Sequence, residues 1–144
     1  MPNRELFRAD ALTLAPALVG KLLVRRFPDG REKRLRITET EAYCGAEDTA
    51  CHARKGKTKR AGILWRDGGT IYVYLCYGMH EMLNIVSGSE NDPQAVLIRC
   101  CEGFEGPGKL TKELGIDRSF NGLDILSCDG LRIEDDGTKV NITQ

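Results

Sequence analysis

Apolar residues first recur at helical spacing near the N-terminus, where Leu12, Leu14 and Leu18 fall between Asp10 and Gly20. Asp10 suits an N-cap and Gly20 a C-cap, so a short helix is predicted over Ala9 to Val19, with Pro16 dividing it into two turns. The period then shortens to two. Lys21 to Phe27 and Lys33 to Thr40 read as strands, and the Pro28-Asp29-Gly30 turn signal between them predicts a hairpin. Ile71 to Tyr77, Met82 to Val86 and Ala95 to Cys101 are three further β-rich runs, the last apolar enough to be central in a sheet. Gly106-Pro107-Gly108 leads into a short helix at Lys109 to Leu114, closed by Gly115. Leu131 to Glu134 is one more strand in an acidic, turn-rich remainder. Residues 44 to 70, rich in glycine and charge, are predicted to form a long surface loop, and such loops in compact domains are usually functional.

Side chains two apart on a strand share a face. Leu35, Ile37, Glu39, Glu41 and Tyr43 therefore point one way, so a face that begins apolar ends in two carboxylates and a tyrosine. Buried carboxylates are expensive, and this pattern points to a strand leaving the core for a cleft that does chemistry. A β-bulge would flip the parity, so the pattern alone does not separate Glu39 from Glu41.

At 144 residues, the chain is predicted to be one domain over residues 1–144, long enough to bury roughly two thirds of its unfolded surface. No apolar run is long enough to span a membrane and no signal-peptide pattern opens the chain, which points to a cytoplasmic or nucleoid-associated protein. The formal net charge is zero, yet residues 1 to 72 carry +6 and residues 73 to 144 carry −6. The sharpest basic excess is Cys51 to Arg66, where Arg54, Lys55, Lys57, Lys59, Arg60 and Arg66 meet no acidic residue, as a surface for a polyanion requires. The six cysteines include no Cys-x-x-Cys pair, which argues for small buried thiols in a reducing compartment rather than disulfides or a metal site.

Tyr72, Tyr74 and Tyr77 crowd one strand, and with Tyr43 they are all the tyrosines in the chain. Such rings suit stacking on a planar ligand, including a nucleobase, although tyrosine is also a good strand former. Gly103 to Lys109 has the glycine and lysine spacing of a phosphate-binding loop, but Leu110 stands where a nucleotide hydrolase needs Ser or Thr for magnesium. Neither the His-x-Glu nor the Pro-Cys-x-x-Cys of a zinc deaminase occurs, and His52 and His80 are not spaced as metal ligands. Arg99, at the end of a very apolar strand, calls for a carboxylate partner, with Glu41 or Glu39 the obvious choice.

RITETEAY, CHARKGKTKR, IYVYLCYGMHEMLN, AVLIRC and GPGKLTKELGI, in that order, resemble the alkyladenine (3-methyladenine) DNA glycosylase family over most of Leu12 to Asp124. The resemblance implies a single α+β domain with a curved antiparallel β-sheet flanked by short helices, similar also to a formyltransferase C-terminal domain. It implies base excision repair: a monomeric enzyme without metal or cofactor that flips an alkylated or deaminated purine out of double-stranded DNA and hydrolyses its N-glycosidic bond. By position, Glu41 is implied as the general base and Arg99 as a holder of the attacking water. Tyr43 stacks on one face of the flipped base, and His52 and Tyr74 on the other, while Asn84 disfavours guanine. Tyr77 wedges into the duplex beside Met79, and Arg54, Lys55, Lys57, Lys59 and Arg60 meet phosphates. The family lacks the direct bridge seen here from Cys100 to Glu105 and continues beyond the position of Gln144. The resemblance is therefore to a shortened member, and the alternative function is a damaged-DNA-binding protein with weak or no catalysis.

Overall fold

A computed structural model describes residues 2–44, 63, 65–76, 78–90 and 94–137. Two short helices open it. The first, α1 (Arg4–Arg8), is started by Asn3, whose side chain accepts the Leu6 N–H. The second, α2 (Ala11–Leu18), is capped by Asp10, which accepts the Thr13 N–H at 2.8 Å. Ala11, Leu14, Ala15 and Leu18 are buried, which is the one-sided spacing of an amphipathic helix. Pro16 does not divide α2. It sits in the last turn, where its missing N–H and its ring disturb only one helical bond. The C-cap is Val19 rather than Gly20; Gly20, at φ 95°, turns the chain into the first strand and donates its N–H to Ile37.

The strands are β1 (Leu22–Arg26), β2 (Glu32–Cys44), β3 (Ile71–Cys76), β4 (His80–Ser87), β5 (Gln94–Cys101), β6 (Phe104–Glu105) and β7 (Leu131–Glu134). They form one antiparallel sheet in the order β3-β4-β5-β2-β1-β7, with β6 folded back on β5. The Pro28-Asp29-Gly30 hairpin joins β1 to β2 as its turn chemistry predicts. The sheet curls into a half-barrel, and with its short helices it makes a single α+β domain.

The curl depends on β2, which changes partners along its thirteen residues. Its first part, from Glu32 to Arg36, pairs with β1, and its second, from Ile37 to Cys44, pairs with β5. Ile37 lies opposite Cys101, Glu39 opposite Cys100 and Thr40 opposite Ile98. Thr38 and Arg99 are thus passed over, one on each strand, and the two extra residues cancel. Extra residues of this kind bend a strand and re-aim its side chains.

These extra residues overturn the predicted parity. Leu35 and Ile37 face the core, but beyond the irregularity the core side of β2 is taken by Ala42 and by Thr40, whose hydroxyl donates to the Ala15 carbonyl of α2 at 2.6 Å. Glu41 and Tyr43 therefore project on the face opposite Leu35 and Ile37. The core lies between that inner side and the helices: Phe7, Leu14 and Leu18 meet Ile37, Ile71, Leu83, Ile85 and Ile98, all fully buried. Each such side chain contributes about 1.5–3 kcal/mol.

A third helix, α3 (Pro107–Leu114), closes on Gly115 in the left-handed conformation. It begins two residues earlier than predicted because Pro107 is suited to the first helical position. The buried Thr111 hydroxyl ties α3 to β4 by donating to the Glu81 carbonyl at 2.8 Å. The glycine at 108 serves packing, since a Cβ there would lie 2.6 Å from Nδ1 of His80. The phosphate-loop spacing thus has a structural explanation.

After a 3-10 helix at Arg118–Phe120 the chain reaches β7, where acidic residues meet the basic ones of the N-terminal half. Arg34 binds Glu134 at 2.5 Å, Arg36 binds Asp136 at 2.7 Å and Lys21 approaches Asp135 at 3.6 Å. Part of the charge asymmetry is therefore spent inside the fold. Among the described residues, no helix is long and apolar enough to cross a membrane.

Candidate active site on the sheet face opposite the core

The register brings residues from four strands into one row. Glu41 of β2 lies opposite Leu97 of β5, Leu97 opposite Asn84 of β4, and Asn84 opposite Tyr72 of β3. Directly opposed residues share a face, so these four line the side of the sheet away from the core. Next to this row, Tyr43 opposes Ala95, which in turn opposes Val86. On the other side Tyr74 opposes Met82. Tyr72, Val86 and Ala95 are buried in a small second cluster with Tyr43, Tyr74, Ile63 and Trp65 packed against it. The rings of Tyr72 and Tyr74 lie 5.5 Å apart at a 37° tilt.

Arg99 crosses from β5 to β2 at the irregularity. Its Nη1 donates to Oε2 of Glu41 at 2.5 Å, and its Nε lies 3.7 Å from Oε1 of Glu39. The predicted choice between the two carboxylates is thus replaced by both. Although it ends a very apolar strand, the Arg99 side chain is 43% exposed. The hydrogen bond to Glu41, and then the negative charges of Glu41 and Glu39, raise the Arg99 pKa above its ordinary value.

Asn84 is 2% exposed. Its amide nitrogen donates to the Tyr72 carbonyl at 3.3 Å and to the Met82 carbonyl at 3.2 Å, which fixes the side chain against rotation. Cys100 follows Arg99, and its thiol donates to Oε2 of Glu39 at 3.3 Å. Burial, and then this bond, push the Cys100 thiol pKa up. Cys101, on the core side, is pushed up to about 12 by burial. Cys76, Cys100, Cys101 and Cys128 are free thiols, but only Cys101 is buried, which corrects the expectation of uniformly buried cysteines.

Of the residues singled out from sequence, Glu41, Arg99, Tyr43, Tyr74 and Asn84 come together on this face. Met79 lies apart, 75% exposed in the turn between β3 and β4. His52, Tyr77, Arg54, Lys55, Lys57, Lys59 and Arg60, with most of the predicted 44–70 loop, lie outside the described residues. Trp65 and Ile63 were not identified from the sequence as part of this face, although a single tryptophan next to a glycine-rich segment was a usable signal. Among the described residues no group of three or more His, Cys, Asp or Glu side chains is arranged to hold a metal ion.

Chemically, the face offers a carboxylate oriented by a cation, the rings of Tyr43, Tyr72 and Tyr74, and an amide locked in place. Aromatic surface beside a fixed amide suits a planar ligand.

The model of the methylpurine-DNA glycosylase family matches residues 5–106. A protein of Borreliella afzelii named "Putative 3-methyladenine DNA glycosylase" is 47% identical over 86% of this chain and 73% of its own length. Proteins of the same name from Natranaerobius thermophilus and Psychrobacter cryohalolentis are 40% and 42% identical. They cover 85% and 91% of this chain, and 73% and 76% of their own lengths.

Proposed function

Because the chain belongs to the methylpurine-DNA glycosylase family, we propose that it excises damaged purines, 3-methyladenine among them, from double-stranded DNA. The observation that carries this proposal is the Glu41–Arg99 pair at 2.5 Å, on the same sheet face as Tyr43, Asn84 and the Tyr72–Tyr74 pair. The damaged nucleotide is rotated out of the duplex and its base enters this face. Unstacking costs a few kcal/mol and is easiest where the lesion already weakens pairing. Tyr43 and Tyr74 recover part of that cost by stacking. The locked amide of Asn84 cannot swing aside, so it excludes purines that carry an exocyclic amine at its position.

Glu41 takes a proton from water as the water oxygen bonds to the sugar C1′. The bond from C1′ to the base nitrogen breaks, its electron pair leaves with the base, and the proton held by Glu41 passes to the departing base or to solvent, which restores the carboxylate. As that bond weakens the sugar gains positive charge, and a carboxylate stabilises it electrostatically, as in glycoside hydrolysis. Arg99 orients Glu41 and contributes to holding the water. Met79, an exposed apolar side chain at a turn, meets the DNA beside Tyr77. The basic run from Arg54 to Arg60 binds phosphates, giving a salt-dependent affinity with little sequence preference.

The test is incubation with duplex DNA carrying one hypoxanthine, followed by alkali to break abasic sites. Breaks with the wild type but not with Glu41→Gln are expected. Lesion-selective binding without breaks would instead identify a damaged-DNA-binding protein.

A further inference from the structure

Glu41 has two demands on it that conflict. As the base it must change charge during the reaction, yet as the partner of Arg99 at 2.5 Å it supplies the negative charge that holds the guanidinium in place. When Glu41 takes a proton from water, Arg99 loses that counter-ion. The guanidinium also carries an unmet donor already: its Nε is buried and has no hydrogen-bond partner among the described residues. Oε1 of Glu39 lies 3.7 Å from it, too far for a hydrogen bond but within reach of a small rotation.

Glu39 is suited to such a rotation and is aimed by its surroundings. Its side chain is 59% exposed, so it is free to turn. Its other oxygen, Oε2, accepts from the Cys100 thiol at 3.3 Å, which keeps the carboxylate over β5. The cause of this arrangement is the paired irregularity. Arg99 has no opposite residue in the register and stands beside the step from Glu39 to Thr40, so its side chain falls between the carboxylates of residues 39 and 41. In a regular ladder a residue has one directly opposed neighbour rather than two.

We propose that Glu39 is a positioning residue for base excision, taking up the Nε–H of Arg99 when Glu41 becomes protonated and so holding the guanidinium at the site throughout the reaction. The inference rests on the glycosylase activity proposed above. Glu39 touches neither the base nor the water; it acts through Arg99.

Single-turnover release of hypoxanthine from a duplex carrying one such base separates this role from a structural one. Glu39→Gln, which keeps the size but not the charge, is expected to slow release about tenfold, while affinity for the same duplex, measured in a Glu41→Gln background, changes less than twofold. Glu39→Asp is expected to recover part of the lost rate. Release by Glu39→Gln at the wild-type rate, or a loss that merely follows weakened binding, overturns the inference and leaves the glycosylase activity standing. A wild-type protein that binds the duplex but releases no base overturns that activity and the inference with it.

Discussion

Arg99 reaches Glu41 from a position where the register of β5 passes over it, so the charge pair exists because the sheet is irregular there. A cation on a regular stretch of β5 would stand opposite one residue of β2. Here it is directed between two. The same irregularity turns Thr40 and Ala42 toward the core and leaves Glu41 and Tyr43 on the open face.

Loss of the carboxylate should be the most damaging single change to activity. Glu41→Gln is expected to lower single-turnover excision by roughly 10²–10⁴-fold, the range for a general base, with lesion affinity largely kept. Arg99→Lys should also reduce the rate, since an ammonium cannot reproduce the geometry of a guanidinium set between two carboxylates. Equal rates for Arg99→Lys and wild type would argue that charge alone suffices.

Asn84→Ala should affect both stability and selectivity. It leaves the carbonyls of Tyr72 and Met82 without the amide donor they share, at a cost of about 1–3 kcal/mol for buried groups. Chemical denaturation measures the first effect. Competition between duplexes with hypoxanthine and with normal guanine measures the second, and a wider acceptance of guanine is expected.

Two glycines should respond differently to alanine. At Gly108 the added Cβ would meet the His80 ring, so Gly108→Ala should destabilise by about 1–3 kcal/mol and the double change with His80→Ala should recover much of it. At Gly68 the Cβ would lie 2.0 Å from the Phe7 carbonyl oxygen and 2.7 Å from that of Gly88. Both are main-chain atoms, so no single side-chain change should rescue Gly68→Ala. Melting curves of the single and double variants decide this.

Acid should weaken the fold through named carboxylates. Hydrogen bonds from Arg34 and Arg132 hold Glu134 below its ordinary 4.5, and a hydrogen bond from Arg8 holds Asp67 below its ordinary 3.8. A carboxyl lowered in the native state stabilises the fold above its unfolded value, and that contribution is lost as pH falls through the native value. Stability should therefore be nearly level above about pH 5 and fall from about pH 4.5 downward as these groups protonate. Glu134→Gln should make the fall shallower and cost about 1 kcal/mol or less at neutral pH, since the pairs are partly exposed. Urea titrations between pH 2 and 7 would show an unchanged slope if the ion pairs are inert.

Where chemistry is local, the sequence was a sufficient guide. Asp10 caps α2, Pro28-Asp29-Gly30 turns β1 into β2, Gly115 ends α3, and Leu131 to Glu134 forms the predicted strand. The partnership of Arg99 with the carboxylates of β2 was also legible, because a cation ending an apolar strand needs an anion. What was not legible depends on pairing at a distance. The direction of Glu41 is set by how β2 and β5 fall out of step, which neither strand encodes alone. The five-residue α1 is too short to show a period, and it is held by Asn3 at its start and by Phe7 in the core.

The two passed-over residues make chain length, rather than residue identity, the quantity to which this face is sensitive. Thr38 is exposed and could be exchanged for many side chains. Deleting it would bring Glu41 opposite Ile98 instead of Leu97, and Arg99 would be driven toward the core or the pairing with β5 broken. Removing Thr38 and Arg99 together would keep the strands in step but take away the cation. Substitutions at position 38 should thus be tolerated where a one-residue deletion is not, and a combined insertion and deletion scan across β2 and β5 would find the site by its intolerance of frame.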